Sequence, residues 1–173
     1  MARILYLIAQ KNFRDEEYLT PRKVFEQAGH SVATASVEAR TCTGMLGATV
    51  VANFAINDVK PHLFDALVVA GGTGARDLAN NPVVLTVISN FNALGKPLGA
   101  ICAGPTVLAR AGVLKDRKAT VWHDALNDEN VKILKEAGAK FTDHPLVRDG
   151  RILTASGPQY AKAFGEEFLK LVH

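Results

Sequence analysis

Cys102 is the residue in this chain best placed for nucleophilic chemistry. Residues 98–101 form a short apolar run that predicts a buried strand ending at this cysteine. Ala103 and Gly104 then predict a turn, and Pro105 suits the first turn of a helix. A nucleophile between a strand and a helix resembles the elbow G-x-S-x-G, with sulfur in place of oxygen. Because a helix N-terminus stabilises a thiolate, we expect the pKa of this thiol to be lowered. Its position alone is also compatible with a buried structural cysteine.

A pair of glycines, Gly71 and Gly72, follows another buried apolar run. Such a pair is compatible with an ordinary turn, but small residues also let backbone N–H groups approach a ligand closely. The functional interpretation is an oxyanion hole whose donors are the N–H groups of Gly72 and Ala103.

Two further side chains could move protons at this site. Glu17 lies in the acidic start of the first predicted helix, where the helix dipole alone would favour a solvated acid. If it is buried beside the sulfur, its pKa would rise, and it could donate a hydrogen bond to a thiolate and shuttle a proton. His123 follows a later strand and is either a general base for Cys102 or a surface histidine beside Trp122.

Alternating apolar runs and helical patterns must position these residues. They predict an α/β fold with a doubly wound, mostly parallel sheet, helices on both faces and a small antiparallel hairpin around Asp149 and Gly150. Ligands bind beyond the carboxyl ends of strands in such a sheet, which brings together the chain after Ala9, the glycine pair and Cys102. We predict strands over 3–9, 31–37, 65–70, 97–101, 119–121, 145–147 and 151–155, a short exposed strand pair around 47–53, and helices over 16–28, 82–94, 105–111, 127–137 and 158–172.

Composition excludes several classes of function. A chain of 173 residues with net charge +3 suits a single domain over 1–173, and its lysines and arginines form no basic stripe for nucleic acid. No segment reaches the ~20 apolar residues of a membrane span, and the N-terminus lacks a signal-peptide pattern, so we expect a cytoplasmic protein. Cys42 lacks the strand-turn-helix context and is expected to be structural. The cysteines and histidines lack metal-ligand spacing, so we expect no metal and no cofactor.

Taken together, these motifs resemble the ThiJ/PfpI superfamily, in particular its small single-domain, DJ-one-like branch. The resemblance spans essentially the whole chain. It is carried by the stretch 100–105 with Leu108 and Gly112 behind it, by the run 65–72 ending in the glycine pair, by Glu17 four residues before Pro21, and by the stretches 27–30 and 149–158.

This resemblance implies a flavodoxin-like fold and a homodimer. It also implies that Cys102 is the reactive cysteine on a strained elbow and that Glu17, rather than Glu16, is the protonated acid beside it. Family activities include glyoxalase III-type conversion of methylglyoxal to lactate, deglycation, chaperone or stress protection, and oxidation sensing through a sulfinate. Peptidase-like members carry histidine where this chain has Ala103, whereas His123 falls near the place of a pocket histidine in the DJ-one-like members.

Three functional hypotheses follow. The first is a cofactor-independent enzyme acting on small reactive aldehydes, of the glyoxalase III or deglycase kind, in which Cys102 adds to the carbonyl carbon. The second is an oxidation-sensing or chaperone-like stress protein whose output is oxidised Cys102. The third is a cysteine peptidase or amidase, which needs a base for the thiol. Ala103 disfavours this third hypothesis because it replaces the adjacent histidine.

Overall fold

The computed structural model describes residues 1–173. The strands are β1 (Arg3–Leu7), β2 (Lys11–Phe13), β3 (Ser31–Ser36), β4 (Thr41–Gly44), β5 (Thr49–Val51), β6 (Phe54–Ala55), β7 (Ala66–Val69), β8 (Leu98–Ile101), β9 (Lys118–Ala119), β10 (Lys140–Phe141), β11 (Leu146–Asp149) and β12 (Ile152–Ala155). The helices are α1 (Asp15–Gln27), α2 (Ala75–Ala79), α3 (Pro82–Ala93), α4 (Gly104–Arg110), α5 (Glu129–Glu136) and α6 (Ala161–Leu169). Three short 3-10 turns cover Ile56–Asp58, Pro61–Leu63 and Pro158–Tyr160.

The central sheet has seven strands in the order β11-β12-β8-β7-β1-β3-β6. All neighbouring strands are parallel except β11, which pairs antiparallel with β12 through the predicted hairpin at Asp149 and Gly150. The order reverses between β1 and β7, so β3 lies on one side of this pair and β8 on the other. The carboxyl ends of β1, β7 and β8 therefore meet at the switch point where open α/β sheets bind ligands.

Helices cover both faces of the sheet. Helix α1 packs against α6, while α2 and α3 pack against α4. Because parallel crossovers are right-handed, the reversal of strand order places these two groups on opposite faces. The inner strands are consequently buried along almost their whole length, and 49 buried residues form one hydrophobic cluster.

The α/β fold, the mostly parallel sheet and the helical layers are as the sequence predicts. Of the exposed strand pair predicted around 47–53, only β5 lies in that range. It pairs with β4, which precedes the range, and both form a separate three-stranded sheet with β2. In place of the strand predicted over 119–121, the structure has the shorter strand β9, which begins one residue earlier. This strand pairs only with β10 and lies outside the central sheet. Helix α2 was not predicted because five residues are too few to show a helical period.

None of the helices combines the length and the apolar character needed to cross a lipid bilayer.

Candidate active site

Cys102 occupies a sharp turn at the carboxyl end of β8. Its backbone φ is +60°, a left-handed conformation that is strained for a residue with a side chain. Two hydrogen bonds hold this conformation: the Cys102 N–H donates to the Ala155 carbonyl (2.8 Å), and the Trp122 N–H donates to the Cys102 carbonyl (2.9 Å). Helix α4 begins two residues later, and the thiol is half-buried. The nucleophile elbow expected from sequence is thus formed.

Glu17 is fully buried in the first turns of α1. Pro21 lies four residues further along this helix and has no N–H to donate to the Glu17 carbonyl. The hydroxyl of Tyr6, from the neighbouring strand β1, donates to that carbonyl instead. The spacing between Glu17 and Pro21 therefore has a physical consequence, because it lets the sheet anchor the backbone that carries the acid.

The Glu17 carboxyl is only partly satisfied by hydrogen bonds. Its Oε2 accepts a hydrogen bond of 2.7 Å from the N–H of Gly71, whereas Oε1 is buried without a conventional hydrogen-bond partner. Burial raises the pKa of Glu17 to about 8, although hydrogen bonds from Cys102 and from the Gly71 backbone oppose this rise. The carboxyl is therefore predominantly protonated at neutral pH, and its O–H can act as a donor.

Burial also raises the pKa of the Cys102 thiol, and the charge of an ionised Glu17 carboxylate raises it further. The backbone N–H groups of Ala103 and Gly72 oppose this rise. The lowered pKa expected from sequence is therefore wrong for this structure. That expectation considered only the helix N-terminus, whereas α4 has seven residues and the desolvation of the sulfur outweighs it.

The glycine pair brings the β7 end close to the reactive groups. A Cβ at Gly71 would lie 2.6 Å from Glu17 Oε2 and 2.7 Å from the backbone nitrogen of Ala103. Gly72 has φ +95°, and a Cβ there would lie 2.4 Å from the Asn12 carbonyl oxygen. A side chain at Gly71 would displace the acid or the elbow, and one at Gly72 would displace the backbone at the end of β2. The structure thus brings together Cys102, Glu17 and the three backbone positions expected from sequence.

The structure does not bring His123 to this group. Its Nε2 lies 3.2 Å from Asp143 Oδ1, and its ring packs edge-on against Phe141. The preceding residue, Trp122, lines the cavity beside the sulfur, but His123 does not. Cys42 is buried in the core, where it accepts a hydrogen bond from Gln10 Nε2 (3.4 Å), so its surroundings fit the structural role expected for it.

A cavity of about 570 Å³ opens above Cys102 and Glu17. Its size is within the range of pockets that hold small molecules. Side chains that were not singled out from the sequence also line it, among them Arg14, Thr73, Arg76, Thr106, Arg110 and Trp122. The sequence carried a signal for the three arginines, because each of them follows the carboxyl end of a strand (β2, β7 or β8) within one loop or one short helix.

The raised pKa of Glu17 predicts how stability depends on pH. Between its unfolded pKa of 4.5 and its folded pKa of about 8, the folded protein holds a proton that the unfolded chain releases. The contribution of Glu17 to the free energy of unfolding therefore falls as pH rises through this window, with a limiting slope of about 1.4 kcal/mol per pH unit. Glu17→Gln removes this fall, which urea unfolding at pH 5, 6, 7 and 8 would measure.

Glu16→Gln is the matched control for this measurement. Glu16 neighbours Glu17, but its hydrogen bond with Arg14 lowers its pKa, so it does not titrate between pH 5 and 8. This variant should keep the wild-type slope. An equal slope in wild type and Glu17→Gln would show that Glu17 is ionised throughout, contrary to the prediction.

Comparison with known proteins agrees with this geometry. The DJ-1/PfpI family model matches residues 2–171. An uncharacterized protein of Methanocaldococcus jannaschii is 42% identical over 99% of this chain and 82% of that protein. Protein/nucleic acid deglycase 2 of Escherichia coli is 34% identical over 99% of both. The crystal structure of a ThiJ/PfpI domain protein from Brachyspira murdochii superimposes with a TM-score of 0.91 at 28% identity, covering 98% of this chain and 95% of that one. The match over nearly the whole chain and the shared fold show that this protein belongs to the DJ-1/PfpI family.

Proposed function

We propose that this protein is a cysteine-dependent enzyme acting on small reactive aldehydes, either free or as early adducts on amino or thiol groups. The observation that carries the proposal is the buried Glu17 carboxyl beside the Cys102 sulfur, with two backbone N–H groups directed to the same place. A nucleophile, a proton carrier and oxyanion donors are the three elements needed for addition to a carbonyl. The deglycase name of the E. coli relative agrees with this class of substrate.

The proposed reaction with a 2-oxoaldehyde needs no external oxidant. The Cys102 sulfur forms a bond to the aldehyde carbon, the C=O π electrons move to oxygen, and a proton neutralises that oxygen to give a hemithioacetal. The protonated Glu17 gives its proton to the neighbouring carbonyl oxygen as it takes the proton from the first carbon, which forms an enediol. It then returns that proton to the second carbon and takes the proton of the first hydroxyl, so the first carbon is oxidised to a thioester, the second is reduced, and Glu17 is again protonated. Water cleaves the resulting thioester, releasing a 2-hydroxy acid and restoring the thiol.

The raised thiol pKa fits this scheme if ionisation is coupled to substrate binding. At neutral pH the Glu17 carboxyl and the Cys102 thiol are both protonated, since burial raises the pKa of each. The thiol loses its proton as it attacks, and the N–H groups of Gly72 and Ala103 stabilise negative charge as it forms. The charge therefore develops only when a carbonyl is present to receive it.

The two cysteines provide a matched test of this function. Cys102→Ala removes the nucleophile and should abolish the conversion of methylglyoxal to lactate, a loss of at least about 1000-fold because no other thiol lines the cavity. Cys42→Ala changes the same residue type in the core and should retain near wild-type turnover. Lactate formation and removal of methylglyoxal from its N-acetylcysteine adduct would both be followed.

Glu17→Gln should lose most of the turnover while still forming the hemithioacetal, which mass spectrometry can detect after trapping. Full activity of Cys102→Ala would exclude the mechanism. Hemithioacetal formation without product in wild type would reduce the proposal to aldehyde binding.

A second candidate is oxidation sensing at Cys102. The N–H groups of Gly72 and Ala103 and the protonated Glu17 place three hydrogen-bond donors around the sulfur, and such donors suit the oxygens of a sulfinate. Mild peroxide should then add two oxygen atoms to Cys102 and none to Cys42, as measured by intact mass and peptide mapping. Glu17→Gln should slow the second addition. A Cys102 that resists peroxide, with rapid aldehyde turnover, would remove this candidate.

A peptidase function has less support. It requires a base that activates the thiol, yet the only histidine near the elbow in sequence, His123, contacts Asp143 and Phe141 instead. We therefore rank peptide hydrolysis below carbonyl chemistry.

We further propose that the protein forms a homodimer through α1 and the β4–β5 hairpin. Apolar side chains are exposed there, with 47% of Leu19, 63% of Leu46 and 66% of Val51 accessible to solvent. Asp15 fixes the hairpin against α1, since its carboxylate accepts hydrogen bonds from the N–H groups of Leu46 (2.9 Å) and Ala48 (2.8 Å). Exposed apolar patches of this kind mark interaction sites.

The two free thiols also agree with a reducing, cytoplasmic location.

Sedimentation analysis would test the dimer. Wild type should sediment as a dimer at micromolar concentration, and Leu19→Lys combined with Val51→Lys should sediment as a monomer. The same pair of charges at Leu94 and Leu126, which are also exposed but lie elsewhere, is the control. A monomeric wild type would contradict the proposal.

A further inference from the structure

The cavity above Cys102 carries more positive charge than an enzyme for neutral aldehydes needs. Arg14, Arg76 and Arg110 line it, whereas Glu17 and Glu129 are the only acids in its wall. Because the raised pKa of Glu17 keeps that carboxyl largely neutral at pH 7, three positive charges face one negative charge. A surface with this balance attracts anions and concentrates them near the reactive sulfur.

The three arginines are not equally available to a ligand. Arg14 is engaged with Glu16, with Nε to Oε2 at 2.7 Å. Arg76 makes only a long contact of 3.9 Å with Glu129, and both side chains are mostly exposed to solvent. Arg110 has no carboxylate within salt-bridge distance and no hydrogen bond from its side chain. Arg110 is therefore the free cation of the cavity, and Arg76 is the one most easily drawn from its partner.

The position of Arg110 separates it from the reacting atoms. Thr106 and Arg110 are four residues apart on α4, so they share one face of that helix, and both line the cavity. The seven steps from Ala103 to Arg110 correspond to about 10 Å along the helix axis. Arg110 is an exposed residue at the last position of α4, whereas Cys102 precedes the first. The anion bound here must therefore lie at the other end of the substrate.

We infer that Arg110, assisted by Arg76, forms an anion subsite for substrates that carry a phosphate or a carboxylate at the end remote from the reactive carbonyl. A guanidinium binds either group through paired charge-assisted hydrogen bonds, so both groups share the chemistry of the subsite. This inference rests on the proposed function for its reactive end, and it names the substrate class. A small neutral aldehyde such as methylglyoxal would fill only part of the cavity and leave Arg110 unused.

Trp122 provides a test that does not depend on turnover. It is the only tryptophan in the chain, and it lines the same cavity, so its fluorescence reports on ligands there. The protein would be titrated with glycerol 3-phosphate, glycerate and glycerol, none of which has an aldehyde. We expect glycerol 3-phosphate, glycerate or both to change the emission with saturation, and glycerol not to do so. The comparison of the two anions assigns the subsite to phosphate or to carboxylate.

Variants then locate the subsite. Arg110→Gln should weaken anion binding about tenfold, the loss expected when a hydrogen bond to a charged group is removed. Arg76→Gln should weaken it by a smaller factor. Arg148→Gln changes an arginine on β11 outside the cavity and should bind like wild type. Arg110 is exposed and unpaired, so its variant is expected to fold, which thermal unfolding confirms or refutes directly.

Turnover gives the second readout. The ratio of kcat/KM for 3-phosphooxy-2-oxopropanal to that for its unphosphorylated counterpart should exceed one in wild type and fall about tenfold in Arg110→Gln. If no anion binds more tightly than glycerol, or if Arg110→Gln binds anions as wild type does, the subsite is wrong whatever the turnover. If anions bind as expected but no aldehyde is consumed, the subsite stands and the proposed function fails.

Discussion

The burial of one carboxyl group sets the chemistry of this site. Glu17 lies in the interior with one oxygen bonded to the Gly71 N–H and the other without a conventional partner. An ionised carboxylate there would be poorly solvated, so its pKa rises to about 8 and the group keeps its proton at neutral pH. The glycine pair, the Tyr6 hydroxyl on the helix backbone and the proline in α1 all serve to hold this acid against the elbow.

The buried acid also determines what the thiol can do. A permanently charged thiolate would be costly beside a second anion in a desolvated site, and the raised pKa of Cys102 reflects that cost. When Glu17 is protonated the repulsion disappears and its O–H becomes a donor. The pair therefore exchanges a proton more readily than it accumulates charge. This behaviour supports the proposed proton transfer between adjacent carbons over hydrolysis by a preformed thiolate and imidazolium pair.

The cavity also has a second region, further from the sulfur, with a different character. Near Cys102 and Glu17 the site is desolvated, with backbone N–H groups as its main donors. Further along α4 and α2 the wall carries exposed arginines, one of them unpaired. The two regions would act on different parts of one ligand, the first on the reacting carbonyl and the second on a charged end. The short helices that follow β7 and β8 position both regions at the same edge of the sheet.

The sequence by itself determined the fold class, the elbow at Cys102 and the glycine pair, because these features depend on local patterns such as apolar runs of strand length and glycines at strand ends. The choice of Glu17 among three consecutive acids came instead from the resemblance to the ThiJ/PfpI superfamily, through its spacing to Pro21. Helix α2 was too short to recognise, and the arginines of the cavity looked like scattered surface charges. The tertiary structure alone decided that His123 lies apart from the sulfur and that the thiol pKa is raised. Both outcomes depend on distance and desolvation, because side-chain direction and exclusion of water arise only when distant segments pack together.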